Sequence, residues 1–143
     1  MTTPSVDQKA NELQFGGAHY KGTTYQHWDM AADMKLGYFE GQITKYITRH
    51  RQKKGKEDVQ KCGHFIQKLI ELATEGRTYP RHTEDMAPAV RFVEGRPDLT
   101  PDELSVFWVA ANWNGTAVLQ IAKHICDSYA GEYALSPGEG LSM

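Results

Sequence analysis

The 143-residue chain contains little cysteine and no long hydrophobic run. Its two cysteines, Cys62 and Cys126, are far apart and form no CxxC pair, which argues against a disulfide framework and a cysteine-rich zinc module. The longest apolar run, Val106 to Ala111, is six residues long, whereas a membrane-spanning helix needs roughly 20. The N-terminal segment has no apolar stretch typical of a signal peptide. We therefore expect a cytoplasmic protein that does not associate with membranes.

The common phosphate-binding and catalytic motifs are absent as well. The chain has no GxxxxGK[ST] loop of the Walker type, no GxGxxG and no GxSxG. Its histidines form neither an HExxH motif nor a pair with the spacing of zinc ligands. The sequence therefore carries no signature of a P-loop NTPase, a dinucleotide-binding domain, an α/β-hydrolase or a zinc protease.

The hydrophobic periodicity is that of α-helices, and no segment has the alternation of a strand. We predict an all-α protein, a small helical bundle of about five helices with a glycine-rich N-terminal loop over residues 15–22. The predicted helices cover residues 25–36, 38–52, 56–75, 100–113 and 116–129. Thr100, Pro101 and Glu103 form a helix start with a capping box. Trp28 is expected in the core.

The composition divides the chain into five segments. Residues 1–14 are polar and are predicted to be disordered or a loose arm. Residues 15–76 form the first helical domain, and residues 77–99 are a linker or long loop with a short extended piece at Val90–Val93. Residues 100–130 form a helical pair that packs on the same core or makes an oligomer contact. Residues 131–143 are predicted to be a flexible tail.

The formal net charge of −2 conceals an uneven distribution. Residues 1–81 carry 13 Lys/Arg and 9 Asp/Glu, whereas residues 82–143 carry 3 and 9. Seven of the basic residues lie between Lys45 and Lys61. Such a stripe is suited to an anionic partner, although a run of charges is more often simply a solvated helix face followed by a basic turn. The pI of 6.3 and the acidic C-terminal half argue against general nucleic-acid binding without excluding it.

A cationic arc on the second predicted helix is the strongest candidate for a binding site. Gln42, Lys45, Arg49 and Lys53 recur at spacings of three and four, which places them together beside the apolar arc that contains Tyr46. Cations at the edge of a groove are suited to phosphate, which arginine can bind through two N–H groups.

Further candidates flank this arc. Asp58 and Lys61, on the third predicted helix, are expected near the same groove if the chain reverses at Gly55. Asp58 and Glu57 are also the negative charges that stabilise a helix N-terminus. His19 and Tyr20 precede the first helix, where they either do acid–base or stacking work or are simply solvated.

A longer pattern of residues resembles a family of small bacteriophage proteins. The matching residues are His19-Tyr20; Gly41-Gln42-Ile43-Thr44-Lys45-Tyr46-Ile47-Thr48-Arg49; Lys53-Lys54-Gly55; and Glu57-Asp58-Val59-Gln60-Lys61-Cys62-Gly63-His64-Phe65. Three positions depart from the family pattern: Gln42 replaces Asn, Cys62 replaces Ala and Phe65 replaces Tyr. Residues 77–143 have no counterpart in the pattern.

The resemblance implies a nucleotide-binding protein, because the family includes a deoxynucleoside monophosphate kinase that lacks a Walker loop. Such an enzyme transfers phosphate from ATP to acceptors such as dTMP and dGMP, requires Mg²⁺ and forms homo-oligomers in the host cytoplasm. The implied catalytic residues are His19, Arg49 and Asp58. The implied nucleotide-binding residues are Tyr20, Lys45, Tyr46, Arg49, Lys53 and Lys61, and the cationic arc adds Gln42 to them. Asp58 and Glu57 are the candidates for binding Mg²⁺.

Two other functions are compatible with the same residues. A non-catalytic protein could use the groove to sequester a host signalling nucleotide, with no metal. An adaptor for nucleic acid or for a protein partner could use the basic stripe alone. Binding without turnover would favour the first alternative, and an affinity that falls steeply with salt would favour nucleic acid.

Overall fold

The computed structural model describes residues 25–81 and 83–135, and in these ranges every regular element is helical. The helices are α1 (His27–Met34), α2 (Tyr38–Arg49), α3 (Lys56–Thr74), α4 (Ala87–Glu94), α5 (Pro101–Ala111) and α6 (Thr116–Leu135), with a 3₁₀ turn at His50–Gln52. The all-α prediction is confirmed, with six α-helices in the described ranges rather than about five. The glycine-rich loop predicted over residues 15–22 lies outside these ranges.

Four of the helices surround a common core. Helix α2 packs against α3 and α5, and α6 packs against the same two helices, so that α2, α3, α6 and α5 form a closed ring. Helices α1 and α4 pack on each other beside this ring. None of the helices in the described ranges is both long and apolar enough to span a lipid bilayer.

The core draws apolar side chains from all six helices. The buried hydrophobic residues include Met30, Met34, Ile43, Ile47, Val59, Cys62, Ile66, Leu69, Ala89, Phe92, Val106, Phe107, Leu119, Ala122 and Cys126. Helices α5 and α6 therefore belong to the same core as α2 and α3. Trp28, expected in this core, is instead 54% exposed because it lies on the outer side of α1.

Local signals in the sequence fix several helix ends. The Thr100 hydroxyl accepts a hydrogen bond from the Glu103 N–H, and the Glu103 carboxylate accepts one from the Thr100 N–H, which confirms the predicted capping box. Gly55 precedes α3 with a positive φ of 58°. Gly76, with φ 70°, follows α3, and the Arg77 N–H donates back to the Leu72 carbonyl in a Schellman turn.

The segment 77–99 differs from the predicted linker because it contains α4. The extended piece predicted at Val90–Val93 is wrong, since these residues are helical. Pro88 lies in the first turn of α4, where proline is tolerated, and Phe92 buries the inner face of the helix. Helix α6 likewise continues to Leu135, past the predicted start of the flexible tail at residue 131.

Arg81 fastens the segment before α4 to the ends of two helices. Its Nη2 donates to the Met34 carbonyl at 2.8 Å, its Nη1 to Lys35 at 3.1 Å and its Nε to Ala111 at 3.0 Å. These carbonyls lie at the C-terminal ends of α1 and α5, where no further helical turn supplies an N–H group to donate to them. One side chain thus holds α1, α5 and the connecting segment together.

A buried polar network joins the end of α2 to α5 and α6. His50, which is almost fully buried, contacts Glu103 through Nε2 and the Tyr133 hydroxyl through Nδ1. Arg51 Nη1 lies 3.1 Å from the other carboxylate oxygen of Glu103. The pKa of Glu103 lies below its usual value because hydrogen bonds from His50 and Thr100 and the charge of Arg51 outweigh the effect of burial. Glu103, which completes the capping box of α5, is therefore also a charged group in the core.

The two cysteines lie side by side although 64 residues separate them along the chain. Their sulfur atoms are 3.6 Å apart, between α3 and α6, and both are free thiols. Burial, and then the neighbouring Cys126, raise the pKa of the Cys62 thiol well above its usual value. The pair serves as packing of small apolar side chains.

Candidate functional site

Tyr46, in the C-terminal half of α2, is surrounded by three cationic side chains. The Lys45 Nζ lies 4.6 Å from the ring centroid, the Arg49 Cζ 4.7 Å and the Lys61 Nζ 5.6 Å. All three are within the range of a cation–π interaction, about 6 Å. We refer to Lys45, Arg49 and Lys61 as the cation cluster. Two of its members come from one side of α2, and the third comes from α3 because the chain reverses at Gly55.

Arg49 is the member of the cluster with a carboxylate partner. Its Nε donates to the Asp58 Oδ2 at 3.2 Å, and its Nη2 lies 3.5 Å from Oδ1. The Lys54 N–H donates to the same carboxylate at 3.3 Å. Asp58 is fully buried, whereas the Arg49 side chain is 20% exposed. A guanidinium has five N–H donors, so Arg49 retains donors for a further acceptor.

Lys45 and Lys61 have no such partner among the described residues. Neither ammonium lies within ion-pair distance of a carboxylate belonging to residues 25–81 or 83–135. Both side chains are only partly exposed. The cluster therefore has an excess of positive charge on a partly desolvated surface, which is the electrostatic setting for binding an anion.

Lys45 and Arg49 also line a small cleft on the other side of α2, between that helix, the start of α1 and the end of α4. The lining residues are Tyr25, Gln26, His27, Lys45, Thr48, Arg49, Gln52, Phe92, Gly95 and Arg96. The cavity volume is about 40 Å³. Because one water molecule needs about 10–15 Å³ on this scale, this volume corresponds to about three water molecules.

The positive charge of Arg96 in this cleft is already balanced. Its Nη2 donates to the Asp98 carboxylate at 2.8 Å and to the Thr48 carbonyl at 2.6 Å. The hydrogen bond from Arg96 to the carboxylate, together with the charge of Arg96 and a further hydrogen bond from Arg51, outweighs the effect of burial and lowers the pKa of Asp98 to about 2. Arg96 therefore shapes the end of the cleft, while Lys45, which has no carboxylate partner among the described residues, supplies its unbalanced positive charge.

His27 is a residue of the cleft that the sequence did not indicate. The Thr44 hydroxyl donates to the Glu40 carbonyl at 2.9 Å, so the His27 Nε2 at 2.7 Å acts as the donor to Thr44. Burial, and to a smaller extent the charges of Lys45 and Arg49, lower the pKa of His27 to about 4. The imidazole is therefore neutral at pH 7. No local motif joins His27 to Thr44, because 17 residues separate them.

The predicted site residues fall into two groups. Lys45, Tyr46, Arg49, Asp58 and Lys61 form one connected cluster, as the spacing on the two helices predicted.

The other predicted residues lie apart from this cluster or outside the description. Gln42 is half-buried on the same side of α2. Lys53 and Glu57 are exposed, and Lys53 follows the 3₁₀ turn, so it no longer lies on α2. His19 and Tyr20 lie outside the described residues, so their predicted roles stay predictions.

Asp58 and Glu57 do not fit a magnesium site as they stand. The Asp58 carboxylate is fully buried and accepts hydrogen bonds from Arg49 and Lys54, while Glu57 is exposed to solvent. Within residues 25–81 and 83–135, no group of three His, Cys, Asp or Glu side chains could hold a metal ion. Asp58 instead positions Arg49 against Tyr46.

No protein-family model, curated protein or solved structure matches the chain. The resemblance to the bacteriophage family therefore stays a prediction that rests on the motif residues. The site combines an excess of positive charge around the Tyr46 ring with a small cleft beside it.

Proposed function

We propose that the protein binds the phosphate group of a nucleotide, with Lys45, Arg49 and Lys61 as its cationic ligands. The observation that supports this most is the convergence of three cations on Tyr46, of which Arg49 alone has a carboxylate partner in the described chain. Like charges held close together repel each other. A bound phosphate relieves that repulsion and gains charge-assisted hydrogen bonds.

A nucleotide is favoured over a nucleic acid for two reasons. Residues 82–143 carry 9 acidic and 3 basic residues, so the second half of the chain repels an extended polyanion. The motif resemblance points in the same direction, since it is to a family with a nucleotide-using member.

Binding is better supported than phosphoryl transfer. The resemblance implies transfer from ATP to dTMP or dGMP with Mg²⁺, a reaction that needs carboxylates free to hold the metal. Asp58 is committed to Arg49 and Lys54 instead. We therefore propose nucleotide binding as the function, with transfer as a distinct outcome of the experiment.

The experiment is calorimetric titration of the full chain with dTMP, dGMP and ATP. Variants Lys45→Gln and Lys61→Gln each remove one unpaired charge and should weaken binding about tenfold or more, the value of a hydrogen bond to a charged group. Lys68→Gln is the matched control, because Lys68 is an exposed lysine on α3 that faces Glu71. This control should bind as the unmodified chain does.

Two results would overturn the proposal: no binding of any of the three nucleotides at millimolar concentration, or equal affinity for all variants. The same mixtures, incubated with ATP and Mg²⁺ and separated by chromatography, test turnover. Diphosphate formed in many-fold excess over protein would establish a kinase. Nucleotide bound but unchanged would establish a binding protein, such as one that sequesters a signalling nucleotide.

Homo-oligomerisation and nucleic-acid binding are separate proposals. Light scattering at micromolar concentration measures the mass in solution and decides the first. Titration of a labelled single-stranded oligonucleotide at 50 and 200 mM salt decides the second. Binding that weakens by several orders of magnitude over that range indicates contacts with many phosphates.

A further inference from the structure

We propose that the base of the bound nucleotide stacks on Tyr38, so that the ligand lies along α2 with its phosphate at the cation cluster. This inference rests on the proposed function. Tyr38, Gln42, Lys45 and Arg49 follow one another at spacings of four, three and four, which places them in a single row on α2. The row carries an aromatic ring at one end, cations at the other and an amide between them.

Tyr38 presents an aromatic surface that the fold holds in place. The side chain is 66% exposed, the second most exposed of the large hydrophobic residues described. Its ring nevertheless contacts Phe39 at a centroid distance of 5.2 Å and Phe65 at 5.8 Å, both edge to face. Ordering the ring for stacking therefore costs less entropy than it would for an isolated surface tyrosine.

The aromatic surface is continuous from Tyr38 to the cation cluster. Phe65 contacts Tyr38 on one side and stacks on Tyr46 on the other, with ring centroids 5.8 Å apart in both pairs. Tyr46 in turn carries the three cations. Tyr38 and the phosphate-binding residues thus share one surface built by α2 and α3.

The distance between the ends of the row matches a nucleoside monophosphate. Seven residues separate Tyr38 from Lys45, about 10 Å along the helix axis. Side chains of a helix lean towards its N-terminus, so the Lys45 ammonium reaches back towards Gln42. With the phosphate held by Lys45, Arg49 and Lys61 beside Tyr46, the sugar and base lie along the row towards Tyr38.

The surface between the two ends is open. Gly41 has no side chain, and within residues 25–81 and 83–135 nothing beyond its own chain neighbours and the backbone of α2 lies within 4 Å of the position that a Cβ would take, so these residues leave the backbone there open to close approach. Gln42, half-buried in the middle of the row, offers both a donor and an acceptor to the edge of a base.

The test compares ligands with and without a base on variants of the full chain. The probes are deoxyribose 5-phosphate, dTMP and dGMP, titrated into the unmodified protein and into Tyr38→Ala, Tyr38→Phe and Tyr79→Ala. Tyr79 is the matched control, an aromatic residue with 76% exposure outside the row. Light scattering on each variant establishes whether the mass in solution is unchanged.

Stacking predicts that the nucleotides bind about 5-fold to 150-fold more tightly than the sugar phosphate, the range measured for one base on one aromatic ring. Tyr38→Ala should abolish that difference and leave the affinity for the sugar phosphate unchanged, while Tyr38→Phe and Tyr79→Ala should retain it.

Equal affinity for all three probes would overturn the stacking proposal and leave phosphate binding intact. So would a difference that survives in Tyr38→Ala, or a change of mass in that variant. If none of the probes bound the unmodified chain, the proposed function itself would fail.

Discussion

Replacement of Asp58 by asparagine tests whether this carboxylate positions Arg49 or serves the ligand directly. Asparagine preserves the size and one acceptor oxygen but removes the charge. Breaking a fully buried ion pair costs about 3–5 kcal/mol. Because the Arg49 side chain is 20% exposed and asparagine can still accept a hydrogen bond, we expect a loss of about 2 kcal/mol in the free energy of unfolding.

The same substitution should strengthen the binding of phosphate. A phosphate on the far side of the Arg49 guanidinium would lie about 7 Å from the Asp58 carboxylate, and at an effective dielectric constant of about 20–40 their repulsion is about 1–2 kcal/mol. Screening by salt reduces this to about 1 kcal/mol. Asp58→Asn should therefore bind a nucleotide about fivefold more tightly.

Urea denaturation measures the stability of this variant, and calorimetry with dTMP below its unfolding range measures the affinity. Glu57→Gln is the matched control, since it removes the same charge from an exposed neighbour and should change the stability little. A folded Asp58→Asn variant that no longer binds nucleotide would refute the reasoning, because that result requires Asp58 to hold the ligand or its metal.

Three further predictions concern the surroundings of the site and the fold. NMR titration should give His27 a pKa of about 4, and Lys45→Gln should raise that pKa. Because His27 takes up a proton more readily in the unfolded chain than in the folded protein, the free energy of unfolding should decrease as the pH falls from 6.5 towards 4. Arg81→Ala should lower the free energy of unfolding by about 2–4 kcal/mol in urea, since three helix-end carbonyls lose their donor. Gly41→Ala should raise the melting temperature, because alanine favours a helix by up to about 1 kcal/mol and has room here.

Each of these predictions has a control of its own. Retention of the same acid-dependent loss of stability in His27→Gln would contradict the role given to His27. Arg77→Ala should hardly change the free energy of unfolding, since the side chain of Arg77 forms an exposed ion pair with Glu75. If Arg81→Ala changed the free energy of unfolding as little as Arg77→Ala does, Arg81 would not hold the two helix ends together. Gly55→Ala should destabilise the protein, because its φ of +58° is unfavourable for alanine. A lower melting temperature of Gly41→Ala would show that the space beside it is needed by the fold.

The cationic site could be predicted from the sequence to the extent that it depends on helix geometry. Spacings of three and four placed Lys45 and Arg49 on one side of α2, next to Tyr46. The turn at Gly55 brought Asp58 and Lys61 towards them. Both inferences needed only the period of a helix and one chain reversal, and the cation–π and ion-pair distances agree with them.

The other wall of the site could not be predicted in this way. Helix α4 is short and contains Pro88 near its start, so its sequence has the composition of a loop. It is helical because Ala89 and Phe92 are buried in the core. Since α4 was missing from the predicted fold, so were the cleft and the position of His27 beside Thr44.

The sequence by itself determined the helical class, the capping box at Thr100, the glycine-marked ends of α3 and the cationic side of α2. All of these follow from interactions between residues a few positions apart. Tertiary structure alone decided which residues meet across the core: His50 with Glu103, Cys62 with Cys126, and His27 with Thr44. Such pairs depend on how six helices bury their apolar faces together, and that packing is a property of the whole chain.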